Sequence, residues 1–358
     1  MIALNYILMA LIIILILGLL IWYFKKLTSI EEQLDFENPY TISFITSEVA
    51  EEFATALKVN LKEQNLTRRE LEAREAAKQE LRQSLKESAY GNPTAKQYIK
   101  NFIKDIIRGK KIGINEETID FVMDFNNPRN LYNRDKFEIM LHFYMKEFDD
   151  LGFAKIIEDY EWLNPKVDED GDFSYKVTKE DLDEAFDDFL LSIEGITYED
   201  KLEIISERVF SEYKGFGAVD ILFDNTIDEI DCGVSGIPLG RFDIKHLDMQ
   251  NTSYSYDAIW VMVHGINLHL SFLSLGSQDE LVRICSNVYK FNAPYCLSRR
   301  KPYVVSTMKD GSRVVVIRPP MGEGWVFFVR KFDSMPSLAP EVVLSDEGNA
   351  ITLTLLKW

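Results

Sequence analysis

Asp310-Gly311-Ser312-Arg313-Val314-Val315-Val316-Ile317-Arg318-Pro319-Pro320, followed closely by Gly324-Trp325-Val326-Phe327-Phe328-Val329-Arg330-Lys331-Phe332-Asp333, reads as one arm of a hairpin and a further strand. Asp-Gly is a tight-turn dipeptide because glycine accepts the positive φ that such turns need, and β-branched runs flank it. A side-chain period of two puts Arg313, Val315 and Ile317 on one face and Ser312, Val314 and Val316 on the other. By the same period Arg330 shares a face with Val326 and Phe328. Two arginines therefore stand at strand ends beside turns, flanking a Pro-Pro corner. Such positions suit contact with an anion; they equally suit solvated charges that protect a sheet edge.

Upstream the texture is also mixed. Residues 219–223 and 227–232 predict early strands around a turn at Asp224-Asn225, and 258–263 with 266–272 predict a hairpin about His264-Gly265. Ser277 with Glu280 is a capping box for a helix through Phe291 that buries Leu281, Ile284 and Val288. Three strands, a helix and three strands predict an α+β sheet domain over residues 202–336, with its helix against one face.

Residues 92–201 read as an acidic helical module, expected to be all-α. Asn92-Pro93 opens a helix with Tyr98, Ile99, Phe102, Ile103, Ile106 and Ile107 on one side and Gly109 as its stop. Asn115 opens a helix with Ile119, Val122 and Phe125, and Asn133 another with Phe137, Met140, Leu141, Tyr144 and Phe148. Thr178 caps a helix carrying Leu182, Phe186, Phe189 and Leu190. Thr197, with Asp200 three residues on, starts the helix of Leu202, Ile205, Val209 and Tyr213, which Gly215 ends. These aromatics read as core rather than a cofactor box.

At the N-terminus, residues 2–24 carry no charge, and at about 1.5 Å per residue a helix of that length spans a hydrocarbon core of roughly 30 Å. No basic residue precedes the run and no Ala-x-Ala site follows it, so it reads as an uncleaved transmembrane anchor rather than a signal peptide. Trp22 and Tyr23 suit an interfacial belt, and Lys25-Lys26 predicts a cytoplasmic C-terminal side. Residues 25–91 read as a basic helical linker in which Thr67 and Glu70 form a capping box. The segment from there to Ser88 reads as a solvated spacer helix or weak coiled coil, whose basic residues either touch anionic lipid or face water. Charge divides near residue 112: residues 58–111 hold 14 Lys/Arg against 7 Asp/Glu, and 116–200 hold 8 against 25.

Composition and motifs exclude several classes. The 358-residue chain is 46% hydrophobic, enough for two compact domains besides a membrane segment. Its formal net charge of −18 argues against nucleic acid as a partner. Cys232, Cys285 and Cys296 form no Cys-x-x-Cys pair and read as reduced thiols. The histidines, His142, His246, His264 and His269, lack a metal-site spacing. In the acidic turn Asp168-Glu-Asp-Gly-Asp172 an EF-hand register would put Lys166 first and Val177 twelfth, so a standard calcium loop is rejected in favour of a solvated turn. There is no Gly-x-Ser-x-Gly elbow and no Gly-x-x-x-x-Gly-Lys-Ser/Thr loop, so this chain should not hydrolyse ATP by itself.

One ordered series is more specific than its pieces. Gly-Phe-Gly-Ala-Val-Asp-Ile-Leu-Phe-Asp-Asn-Thr-Ile-Asp-Glu-Ile (215–230), the strand and helix of 258–291, Arg299-Arg300, Asp-Gly-Ser-Arg-Val (310–314), Pro319-Pro320 and Arg330-Lys331-Phe332 together span about a third of the chain. Over that span the chain resembles the N-terminal domain of the type II/type IV secretion traffic ATPases, closest to the tight-adherence pilus-assembly branch. The resemblance implies a hexameric ring with nucleotide between the N-terminal domain and a P-loop motor domain, and arginines of the former approaching the phosphates. Arg313 and Arg330 match those motif positions. The expectation is thus a membrane-anchored N-terminal part of a secretion or pilus-assembly ATPase, in the bacterial cytoplasmic membrane with its bulk cytoplasmic. It would supply ring contacts and phosphate-sensing arginines, act beside inner-membrane secretion components, and use ATP and Mg²⁺ only through a motor domain. Residues 337–358 would be the linker toward that motor, which this chain does not contain. The family generally lacks a membrane anchor, so residues 2–24 depart from it. The alternative expectation is a non-enzymatic, membrane-anchored adaptor of a secretion system.

Overall fold

The computed structural model describes residues 38–61, 66–167, 171, 173–235 and 255–331. The expected anchor at 2–24, most of the acidic turn at 168–172 and the linker at 337–358 lie outside the described residues. Among those described, no helix is long and apolar enough to cross a membrane.

Side-chain caps set most helix starts. Thr41 Oγ1 accepts the Phe44 N–H to open α1 (Ile42–Lys58), and a reciprocal Thr67/Glu70 box opens α2 (Arg68–Ser88). Asn92, with proline at the first helical position, opens α3 (Pro93–Arg108). After α4 (Asn133–Phe148) and the short α5 (Gly152–Asp159), Thr178 and Asp181 box the start of α6 (Lys179–Ser192). Thr197 caps α7 (Tyr198–Tyr213), and Ser277 caps α8 (Gln278–Lys290). Each cap satisfies an otherwise orphaned N–H and contributes about 1 kcal/mol.

A small hairpin pairs β1 (Lys166–Val167) with β2 (Phe173–Ser174). The main sheet holds β3 (Lys176–Val177), β4 (Glu229–Ser235), β5 (Ser255–Val263), β6 (Ile266–Leu270), β7 (Tyr303–Thr307), β8 (Arg313–Ile317) and β9 (Val326–Arg330). Their order is β3-β6-β5-β4-β9-β8-β7, antiparallel except where β3 runs parallel to β6. The expected strand–helix–strand order from β4 onward is present, and α8 packs against β7, β8 and β9 on one face. Both expected hairpin turns form, with positive φ at His264, Gly265 and Gly311.

Three local expectations are corrected. Residues 219–223 are not a strand but part of a 3₁₀ segment, Gly217–Asp224, that begins at positive φ on Gly217 and is tied by the Phe216 N–H donating to Asp220 Oδ1 at 2.7 Å. The helix expected from Asn115 is only a 3₁₀ turn, Ile119–Phe121, because Asn115 Oδ1 takes the N–H groups of Glu117 and Thr118 in a local turn. The acidic module is not all-α either: β1 and β2 lie within it, and β3 gives the main sheet an edge strand.

One apolar core runs through helices and sheet. Ile99, Ile103 and Ile107 of α3 are fully buried with Ile45, Val49 and Phe53 of α1, each contributing about 1.5–3 kcal/mol. Phe53 stacks on Tyr213 of α7 at 5.7 Å. Phe137 of α4 meets Phe153 edge-on at 6.0 Å and Phe272, just past β6, at 5.2 Å. The last turns of α2 also reach this core through Leu81 and Leu85, so the spacer helix docks at its C-terminal end while its first turns face water.

Candidate functional site

The sheet has a buried face, carrying Val304, Val314, Val316, Phe327 and Val329, and a half-exposed one. On the half-exposed face residues line up in rungs across the strands. In the first rung Thr307, Arg313, Arg330, Glu229, Met262 and Asn267 are successive register partners across β7, β8, β9, β4, β5 and β6. The next holds Val305, Val315, Phe328, Asp231, Trp260 and His269.

Arg313 and Arg330, expected from the sequence at separate strand ends, are direct cross-strand partners. Like charges placed opposite each other cost stability, on the scale of about 0.2–1 kcal/mol for such pairs. Glu229 offsets this from the far side of β9, its Oε2 lying 3.2 Å from Arg330 Nε. The Arg330 side chain nevertheless stays 66% exposed, while that of Glu229 is 11% exposed. The result is two arginines at neighbouring register positions on an accessible rim, with Glu229 behind Arg330, an arrangement able to receive a doubly charged anion.

A second constellation, which the sequence reading left out, lies where the helices meet the sheet. Lys96, Lys100, Lys104 and Arg108 recur every four residues along α3, and Glu199, Glu203 and Glu207 do so along α7. The stripes pair antiparallel: Arg108 with Glu199, Lys104 with Glu203, and Lys100 with Glu203 and Glu207 at 2.7 Å each. At the deep end Lys96 Nζ lies 2.5 Å from Asp220, 2.6 Å from Asp224 and 2.6 Å from Glu207. Glu207 Oε1 is an ion-pair neighbour of Lys96 outside hydrogen-bond geometry. The charge divide near residue 112 is thus bridged by direct pairing. The i, i+4 lysine and glutamate repeats were the signal for it.

Burial and pairing set the protonation states here. Burial lifts the Asp220 carboxyl to about 7; Lys96 opposes that and Glu207 reinforces it. Burial also works against a charged Glu207, yet Lys100 and Lys96 hold it well below the usual carboxylate range. Lys96 stays charged, since burial is outweighed by Asp220, Asp224 and Glu207. Asp220 is therefore the member of the acid pair that carries the proton near neutrality. A cleft of about 400 Å³ opens over this cluster, with Asp310 and Lys331 on its sheet side. Lys331 Nζ donates to the Phe223 and Asn225 carbonyls at 2.6 and 2.7 Å, clamping the 3₁₀ segment to the end of β9.

A parallel seam joins α4 to α7. Arg208 meets Asp135 at 2.6 Å and Glu138 at 2.8 Å, while Asp200 receives Lys146 at 2.7 Å and contacts His142 at 3.1 Å. These pairs tie α4 to α7 as a second joint. The buried thiols of Cys232 and Cys285 are pushed up by burial and stay protonated, poor nucleophiles in a closed core. Arg313 and Arg330 are charged groups presented outward on adjoining strands. No family model matches this chain, and no curated protein matches it.

Proposed function

We propose that this chain is the membrane-anchored N-terminal part of a secretion or pilus-assembly ATPase, which supplies ring-assembly contacts and phosphate-contacting arginines to a P-loop domain outside it. The register pairing of Arg313 with Arg330 carries this reading: two guanidinium forks at one rim suit the terminal phosphates of a nucleotide held by a neighbouring domain. Nucleotide and Mg²⁺ would be held by that domain, which supplies the phosphate-cradling loop. The joint of α3, α7 and the 3₁₀ segment supports a rigid-body role, since it fixes the helices to the sheet end that bears Lys331. The apolar run at 2–24 and the following lysines support an anchor in the cytoplasmic membrane with the described residues on the cytoplasmic side. Ring formation and contact with inner-membrane secretion components belong to the same reading.

The test is ATP turnover by the native polypeptide isolated from its own membranes, with Arg313→Ala and Arg330→Ala introduced singly. A loss of at least about tenfold in each supports the role. Unchanged turnover and nucleotide affinity in both variants would sink it. A second reading, a non-enzymatic adaptor, is favoured by the half-exposed apolar sheet face, where Trp260, Tyr303 and Val305 are 38–57% exposed. An adaptor shows no change in thermal stability with Mg-ATP, whereas an intact motor is stabilised by it.

A further inference from the structure

Beside the arginine rim, on the same face, is a pocket of about 340 Å³. Asp231 and Trp260 are register partners on β4 and β5, Phe328 is the partner of Asp231 on β9, and Trp325 closes the side just before β9. Small residues keep the space open, with Gly233 and Ala258 paired on its floor. The covering turn fits only because position 324 is glycine: a Cβ there would lie 2.5 Å from Val234 Cγ2.

Two observations give the pocket its chemistry. Asp231 Oδ1 is buried and has no hydrogen-bond partner among the described residues, which for a carboxylate oxygen is costly. The walls are aromatic, and ring faces attract cations. Trp325 already holds the Arg318 guanidinium 4.7 Å from its ring, while Trp260 rests its other side on His269 at 4.4 Å. Two carboxylates, Asp231 and Glu323, cannot furnish the oxygen shell of a divalent metal, and a metal-binding group of three acidic, histidine or cysteine residues is absent among the described residues.

We propose that this pocket binds the guanidinium of an arginine side chain presented by a partner protein, with Asp231 as counter-charge and Trp260, Trp325 and Phe328 as walls. A planar, weakly hydrated guanidinium stacks on rings and offers a fork to one carboxylate, which suits this site better than a compact ammonium. The size accommodates a side chain rather than a large cofactor.

The electrostatic surroundings add a pH signature. Burial and the neighbouring Glu229 raise the Asp231 carboxyl to about 7, with Arg330 opposing. Glu323 lines the pocket, Arg318 lies beyond Trp325, and His269, opposite Lys176 in the register, is kept from protonating chiefly by burial. A cationic guest selects ionised Asp231, so affinity rises with pH through about 7.

The experiment titrates the full chain with N-acetyl-arginine methylamide, reading the indole N–H resonances of Trp260 and Trp325. Saturable shifts at about millimolar probe are expected, tightening between pH 6 and 8, as suits one partly exposed charge pair. The citrulline counterpart, neutral and of like shape, should bind at least about tenfold more weakly, as should the arginine probe to Asp231→Asn. Ala258→Leu, which fills the floor and keeps Asp231, should abolish the shifts and decides the matter if Asp231→Asn fails to fold. Equal binding of the citrulline probe, or undiminished binding to Asp231→Asn or Ala258→Leu, overturns the proposal. A lysine counterpart that binds as tightly overturns the guanidinium assignment.

Discussion

The joint between α3 and α7 and the half-exposed face of the sheet use the same kinds of side chain to opposite ends. At the joint, Lys96 is buried against three carboxylates and every charge has an opposite neighbour. On the sheet face two arginines oppose each other and Asp231 buries an oxygen with no hydrogen-bond partner among the described residues. Charge paired in the interior holds elements together, whereas charge presented at a surface is open to something else. The joint should therefore govern stability, and the sheet face should govern recognition while costing little when altered.

The largest effect is expected at Lys96. Lys96→Met leaves buried Asp220 and Glu207, with half-buried Asp224 beside them, without their cation, and breaking a buried pair in this way costs about 3–5 kcal/mol. Urea unfolding of the purified chain reads it. Combining Lys96→Met with Asp220→Asn should recover part of the loss, because one stranded charge goes with its partner. A loss below about 1 kcal/mol for the single variant would mean that the joint is solvated and does not govern stability.

The next effect is a pH dependence with a definite sign. Asp220 has a folded-state pKa raised to about 7, so the fold binds its proton more tightly than the unfolded chain does. Its contribution is fully present at low pH, below the ordinary carboxylate range, and is lost as pH rises toward 7, on the order of a few kcal/mol for a fully buried group. Glu207, held low, acts the other way: its contribution is present above the ordinary carboxylate range and is lost as pH falls below it. Stability should therefore peak at mildly acidic pH and decline toward neutrality. Asp220→Asn should flatten that decline in thermal melts between pH 5 and 8; an unchanged slope would remove Asp220 from the account.

The arginine rim sharpens the contrast at smaller scale. Arg330→Ala removes a mostly exposed pair with Glu229 and should cost less than about 1 kcal/mol. Arg313→Ala removes an exposed side chain opposite Arg330 and should likewise cost less than about 1 kcal/mol. A loss of several kcal/mol in either variant would make these arginines structural and weaken their proposed role toward phosphate.

How much of this was legible in the sequence depended on whether the signal was local. Asp310-Gly311 and His264-Gly265 specified their turns because positive φ is a property of the turn residues themselves, and Thr67, Thr178 and Thr197 announced helices whose caps lie three residues away. Residues 219–223 misled because a five-residue apolar run has no period of its own, and a 3₁₀ conformation is imposed by Asp220 capping Phe216 from within the turn. The edge strand β3 is two residues long and exists through its pairing with β6, so nothing local marks it. The arginine pair was half visible: alternation gave the face of each residue, but only strand register made them neighbours. Asp231 was invisible because the absence of a partner is a property of three dimensions.

The smallest effect isolates that last residue. Asp231 is only partly buried, so solvent screens much of the penalty that raises its carboxyl to about 7. The folded chain disfavours a carboxylate that the unfolded chain forms freely above its ordinary pKa, so the penalty that Asp231→Asn removes grows from about pH 4 and levels off above about 7. Asp231→Asn should therefore raise thermal stability slightly at pH 8, by less than about 1 kcal/mol, keep most of that gain at pH 6, and leave stability unchanged only below about pH 4. A destabilised variant at pH 8 would mean that the carboxylate has a partner within the folded chain. Asp231 would then belong with the joint rather than with the surface that recognises something else.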